Sequence, residues 1–349
     1  MRPRSPHAVG RLRAAWLATR LALGLALGLA LSSSGCGGQG PPATGSAWLR
    51  AWVPGLERAS AAAVHEESVL LLDGPARRLH AFTLADLQAG AAVIGRDLLI
   101  DVQREALLAG HELGVDRGGG LPAQGYRLGT LWDQPLDFVG LCTRRLRSGR
   151  RGGDVEAAYL LERAYGVVWS GRLERDAAGR LVALHLESAL VVPGRPREGA
   201  ARLDWRDVGG GLRALAMGED ARAREDLLLL ESAPSAGAPC GVQALDRLGQ
   251  RLGRWPLEVE PVAGVEADLR ALAWDGRQHR VLLGPGPGEV RTLPASATSA
   301  SGSLPAAGAW AAPGLAQVPA FTALACPGPG QVLLAGPQPG GVALAWRGP

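Results

Sequence analysis

Arg213 in GLRALAM and Arg270 in DLRALAW are the residues whose type and spacing most directly suggest chemistry. When LDFVGLC (136–142), GLRALAM (211–217), DLRALAW (268–274) and AFTALAC (320–326) are superposed on their shared leucine, Val139, Arg213, Arg270 and Thr322 fall at one position. Guanidinium groups grip carboxylate or phosphate through paired N–H donors. The spacing therefore predicts a small anionic ligand where these segments converge. A plainer expectation stands beside it, in which the arginines end packed strands and pair with neighbours such as Asp268 and Glu266. The most basic stretch, TRRLRSGRRGGD at 143–154, carries Arg144, Arg145, Arg147, Arg150 and Arg151. It reads as a solvated loop between strands, with attraction to anionic lipid as the competing role.

Other chemistries lack the residues they need. His65, His80, His111, His185 and His279 show no paired metal spacing, so no metal is expected. The Gly284–Gly288 segment, GPGPG, includes two prolines that supply no N–H and cannot cradle phosphate. There is no Gly-x-Ser-x-Gly elbow, no calcium-binding loop and no dinucleotide fingerprint, and no cofactor is expected; binding is favoured over catalysis because the aligned positions hold Arg213, Arg270, Thr322 and Val139, with neither acidic metal ligands nor a nucleophile and base. Beyond Cys36 only Cys142, Cys240 and Cys326 remain, too few for a disulfide framework. Cys142 and Cys326 read as small buried residues, and Trp169, Trp274 and Trp346 as packing residues.

The elements that must position these residues are strands. Each superposed segment, and a weaker copy ASAAAV at 59–64, is followed after a polar or glycine-rich break by a second apolar run: SVLLLD, AAYLLE, DLLLLE, RVLLG or QVLLAG. Two units extend to four strands, with hairpin turns expected at Asp176–Gly179 and Asp246–Gly249. Apolar runs too continuous for a half-wet sheet predict an all-β domain over 48–349: a β-propeller of about five to six four-stranded blades. An irregular β-sandwich is the alternative. Residues 101–135 and 191–210 could each hold a degenerate blade. WLRAWV at 48–53 is expected to pair with the C-terminal strand and remove exposed edges. Helix is expected only in the leader and in a short piece at Thr83–Gln88.

Residues 1–35 hold five arginines, no acidic residue and an apolar run, Leu21–Leu31, too short to cross a bilayer. This order predicts a signal peptide. Without the five leader arginines the 37 basic residues fall to 32 against 33 acidic, a net charge of −1. Nucleic acid is therefore not an expected partner. Ser32-Ser33-Ser34-Gly35-Cys36 resembles the lipobox of bacterial lipoproteins, with Ser33 where leucine is usual. The resemblance implies diacylglycerol on Cys36, with 36–47 as a flexible tether (GGQGPPATGS at 37–46). It also implies a cell-envelope protein on the periplasmic side, anchored in the outer membrane.

LDFVGLC followed by AYLLERAYGVVWSGRL at 158–173 is similar to bacterial propellers related to the esterase-like domain of phytase. Asp137 and Gly140 match one stretch of that pattern and Glu162 with Arg163 match another, while Val139 stands where the family has glutamate. The resemblance adds Asp137 and Glu162 to Arg213 and Arg270 as candidate ligand-binding residues, and no catalytic residue is assigned. The expected function is an envelope propeller displaying a binding surface for a protein or a small anionic ligand. The alternative is a hydrolase of phosphate or ester bonds.

Overall fold

The computed structural model describes residues 48–103, 132–133, 135–146, 155–164, 166–192, 212–219, 225–231, 240–246, 251–259, 268–293, 302–304 and 309–348. These belong to one compact unit, Ser46–Pro349. The leader, Cys36, the tether, Arg147, Arg150, Arg151, Glu266 and most of 101–135 and 191–210 lie outside the described residues, as does the Asp246–Gly249 turn beyond Asp246.

The fold is all-β. An eight-stranded sheet has the order β2 (Ala61–His65), β3 (Ser68–Asp73), β4 (Arg78–Thr83), β6 (Arg96–Val102), β10 (Leu181–Val191), β9 (Val167–Arg175), β8 (Val155–Glu162), β7 (Phe138–Leu146). It consists of two antiparallel halves joined where β6 runs parallel to β10. Its end strands β2 and β7 touch, so it nearly closes on itself. A five-stranded sheet follows: β11 (Leu212–Glu219), β12 (Glu225–Glu231), β13 (Cys240–Leu245), β14 (Arg251–Val259) and β18 (Gly302–Leu304). A four-stranded sheet comprises β15 (Leu269–Trp274), β16 (His279–Leu283), β17 (Glu289–Leu293) and β19 (Trp310–Ala311). The last sheet joins the chain ends: β20 (Ala323–Ala325), β21 (Val332–Gln338), β22 (Gly341–Arg347), β1 (Leu49–Pro54) and β5 (Ala91–Ala92). As expected, β1 pairs antiparallel with β22, from Leu49↔Trp346 to Pro54↔Gly341.

Local chemistry explains these elements. The second strand of each unit carries a continuous apolar run, as Val281–Leu283 in His279–Leu283, a strand buried at every position. Such runs suit strands covered on both faces rather than one. The Asp176 carboxylate accepts from Ala178 N–H at 3.0 Å and Arg180 N–H at 2.9 Å, and Gly179 supplies the positive φ (+77°) that closes the predicted hairpin. The helical piece, α1 (Leu84–Gln88), is held by a capping box: Thr83 Oγ1 accepts from Asp86 N–H, and the Asp86 carboxylate accepts from Thr83 N–H.

The first strands of the units, β2, β7, β11, β15 and β20, touch one another in cyclic order. Each begins with the same irregularity. Val139, Arg213 and Arg270 are each an extra residue, skipped between Phe138 and Gly140, Leu212 and Ala214, and Leu269 and Ala271 in pairing with the second strand. In the other two units Ser60 and Thr322 donate N–H to Leu72 O and Ala335 O, the same residues that face Ala61 and Ala323. Three bulges, and the same main-chain bond at Ser60 and Thr322 in the other two units, therefore stand at the aligned position. A bulge bends its strand and re-aims one side chain.

Past the bulges, Leu141, Leu215, Leu272 and Leu324 converge with Ala62 on one small space of about 10 Å³. That is room for about one water. Burying each leucine contributes roughly 2 kcal/mol by area. The approach is closest at Gly140, where a Cβ would lie 2.7 Å from Leu215 Cβ and 2.8 Å from Leu215 N. Gly140→Ala must push β7 away from β11 and is expected to cost about 1–3 kcal/mol. Urea unfolding tests this against Gly314→Ala, whose Cβ would meet nothing within 4 Å and which should leave the midpoint unchanged.

Candidate functional site

The bulges dictate what the aligned polar side chains do. Thr322 Oγ1 donates to Ala59 O at 2.7 Å, so a residue leading into β20 fastens to the one leading into β2. Arg270 does the same one unit earlier: its Nη1 reaches Phe321 O at 3.4 Å and Gly286 O at 2.9 Å, and its Nε lies 3.2 Å from Asp268 Oδ2. Ser60 accepts from Gly74 N–H at 3.1 Å. Arg213 is half-buried and also interacts within the protein. Here the plainer expectation for Arg270 holds, with Asp268 as its ion-pair partner.

Asp137 and Glu162, far apart in sequence, meet. The wholly buried Glu162 carboxylate accepts from Asp137 N–H at 2.9 Å and from Ala164 N–H at 2.8 Å. Arg163 closes the group with an ion pair to the Asp137 carboxylate and a main-chain bond, N–H to Asp137 O, at 2.9 Å. The four candidates thus stand near the bulged ends of strands in three sheets: Asp137 just ahead of β7, Glu162 ending the paired β8, Arg213 on β11 and Arg270 on β15. Glu162 acts as an internal cap for two main-chain donors. Removing its carboxylate in Glu162→Ala leaves those donors buried and should cost about 2–4 kcal/mol by denaturant titration, while Glu162→Gln, which keeps an acceptor, should cost less than half as much.

The opposite ends of the first strands carry an ionic network that no motif signalled. Glu66 turns the chain between β2 and β3 at φ +54°, in the left-handed region. Its carboxylate takes Arg145 Nη1 at 3.0 Å and Arg175 Nη2 at 3.1 Å. Arg175 also holds Glu156 at 2.8 Å, and Glu156 lies 3.1 Å from His65 Nε2. Burial pulls the His65 pKa down, against the pull of Glu156. His65–Glu66–Glu67 was legible as a polar break, but its partners lie about 80 and 109 residues away, beyond any local spacing rule.

Two further groups were also not legible. His185 bridges the outer strands, with Nε2 at 2.6 Å from Glu174 and Nδ1 at 3.1 Å from Asp101; these hydrogen bonds raise its pKa. The buried pair Asp275–Arg280, at 3.1 Å, sits beneath Trp310, whose ring is 4.5 Å from both the Arg280 and Arg347 guanidinium carbons. Among the described residues no group of three or more His, Cys, Asp or Glu side chains is arranged to hold a metal ion. Cys142 and Cys326 are free thiols, both pushed up in pKa by burial.

No family model and no curated protein matches the chain.

His279 gives a pH prediction. Burial lowers its pKa from 6.5 to about 4, against smaller upward pulls from the Met217 carbonyl and Asp275. The folded state keeps it neutral while the unfolded chain takes up a proton below its ordinary value, so its stabilising effect is present above that value and is lost on acidification. Between pH 7 and pH 5 this amounts to about 2 kcal/mol. His279→Leu should flatten that acid limb in urea titrations. His185, shifted the other way, contributes below its ordinary pKa and loses its contribution as pH rises through the raised one.

Proposed function

We propose that this chain is a five-bladed β-propeller, exported and lipid-anchored at Cys36, that displays its rim to a protein partner in the bacterial envelope. The propeller reading is supported by the cyclic contacts of the five first strands and by β1 completing the sheet of β20, β21 and β22. The eight-stranded sheet is then two blades whose outer strands, β6 and β10, have fused edges. The anchor reading is supported by the leader and by the lipobox-like run before Cys36.

The observation that carries the binding reading is how little space the first strands leave between them at Leu141, Leu215, Leu272 and Leu324. With room for about one water there, a small ligand has no central seat, and Arg270 at the mouth is engaged with Asp268 and two carbonyls. Recognition then falls to the outer surface. The rim at Glu66 is its best-supported part, because a two-residue hairpin turn with positive φ favours Asn or Gly, yet glutamate occupies it. Exposed ion pairs contribute only about 0–1 kcal/mol, little to offset that choice, so recognition is the better reason for glutamate at 66.

The test has two arms. Metabolic labelling with an alkyne fatty acid should mark the protein and fail in Cys36→Ser. Photo-crosslinking in cells from positions 66 and 145 should give one discrete adduct, absent from Arg172, which is exposed on β9. Turnover of phosphomonoesters or esters that is lost in Asp137→Asn or Glu162→Gln would overturn this reading in favour of a hydrolase.

A further inference from the structure

Among the described residues five large apolar side chains remain in water: Leu49, Trp52, Ile94, Leu99 and Leu252. Three of them gather where the N-terminal chain enters the fold. Trp52 of β1 is the register partner of Ala92 of β5, and register partners on paired strands point to the same face. Val93 N–H donates to Trp52 O at 2.8 Å and continues the pairing. Alternation along Ala92, Val93 and Ile94, exposed, buried, exposed, returns Ile94 to the face of Trp52. Ile94 is 83% exposed, the most exposed of the five, and Leu49, 46% exposed, opens the same strand. Arg50, two residues before Trp52, is exposed on the same face.

What covers this face is indicated by the chain that leads to it. Eleven residues separate Cys36 from Trp48, a span of at most about 40 Å when extended. A lipid on Cys36 therefore keeps β1 close to the bilayer, and at the high effective concentration that tethering creates, a weak contact suffices. Tryptophan favours the membrane–water interface, a short aliphatic side chain enters the acyl boundary, and arginine meets lipid phosphate. We infer that the face formed by Arg50, Trp52 and Ile94 seats the protein on the phospholipid surface that holds Cys36. This rests on the lipid-anchor reading given above.

The test uses the full-length acylated protein in vesicles of phosphatidylethanolamine and phosphatidylglycerol, with and without brominated acyl chains that quench nearby tryptophan. Brominated lipid should quench part of the emission. Trp52→Phe should remove at least half of the quenched part, Ile94→Asp should lower it at least twofold, and Leu252→Asp should leave it unchanged. No quenching, or equal quenching in the native protein and Trp52→Phe, overturns the seat. Intact mass and vesicle flotation separate the two readings. A protein that carries the acyl mass and floats but is not quenched refutes the seat alone, whereas one that lacks the mass and does not float refutes both. An unquenched protein that forms dimers dissolved by Ile94→Asp would assign the face to a second copy and likewise overturn the proposal.

Discussion

Everything else in this protein hangs on how closely five strands can approach one line. Leu141, Leu215, Leu272 and Leu324, with Ala62, line a space of about 10 Å³ between the first strands, while each packs into a different core cluster. A wider separation would open a cavity that apolar side chains could not fill, and a narrower one would bring main chains together. Gly140 against Leu215 shows how near that limit lies. The irregularity that begins each first strand belongs to the same constraint, because it bends the strand as it reaches the shared centre. Ser60, Arg270 and Thr322 then turn toward neighbouring main-chain groups, and Arg270 and Thr322 fasten one unit to the next.

A second constraint acts at the outside. Sheets this apolar would offer unpaired edges for aggregation, and each outermost strand has a cover. β6 lies on β10, β5 on β1, β18 on β14 and β19 on β17. Three of these covers are only two or three residues long, so little open edge results among the described residues. Arg291, buried on β17, donates to Leu304 O of β18 at 2.6 Å and links two sheets at that periphery.

Most charge in the described fold is structural. Arg175 is held by Glu156, Arg280 is locked to Asp275, and His185 is held between Glu174 and Asp101. Some of these contacts join neighbouring strands, as Arg280 to Asp275, and others reach across the sequence, as His185 to Asp101, which suits a chain whose sole basic side chain besides histidine is arginine. The planar guanidinium fork can serve two acceptors at once, as Arg175 does. An anion site built from arginines would need donors left over from such tasks, and Arg270 already commits its Nε and Nη1 to Asp268, Gly286 and Phe321.

The sequence alone determined the β character, the pairing of β1 with β22, the Asp176 hairpin, the short helical piece at Thr83–Gln88 and the equivalence of four leucines. Each follows from local rules: apolar runs, turn residues and a recurring short pattern. The family resemblance named Asp137 in one stretch and Glu162 with Arg163 in another, and only the fold shows that these residues meet. Tertiary structure decided what those residues do. Alternation along GLRALAM puts Arg213 on the face of Leu215 and Met217, but a single extra residue in the ladder breaks that alternation, and bulges leave no signature in composition. The Glu66 and His185 groups were equally hidden, because Glu66 meets Arg145 and Arg175, and His185 meets Asp101, only where strands far apart in the chain come side by side.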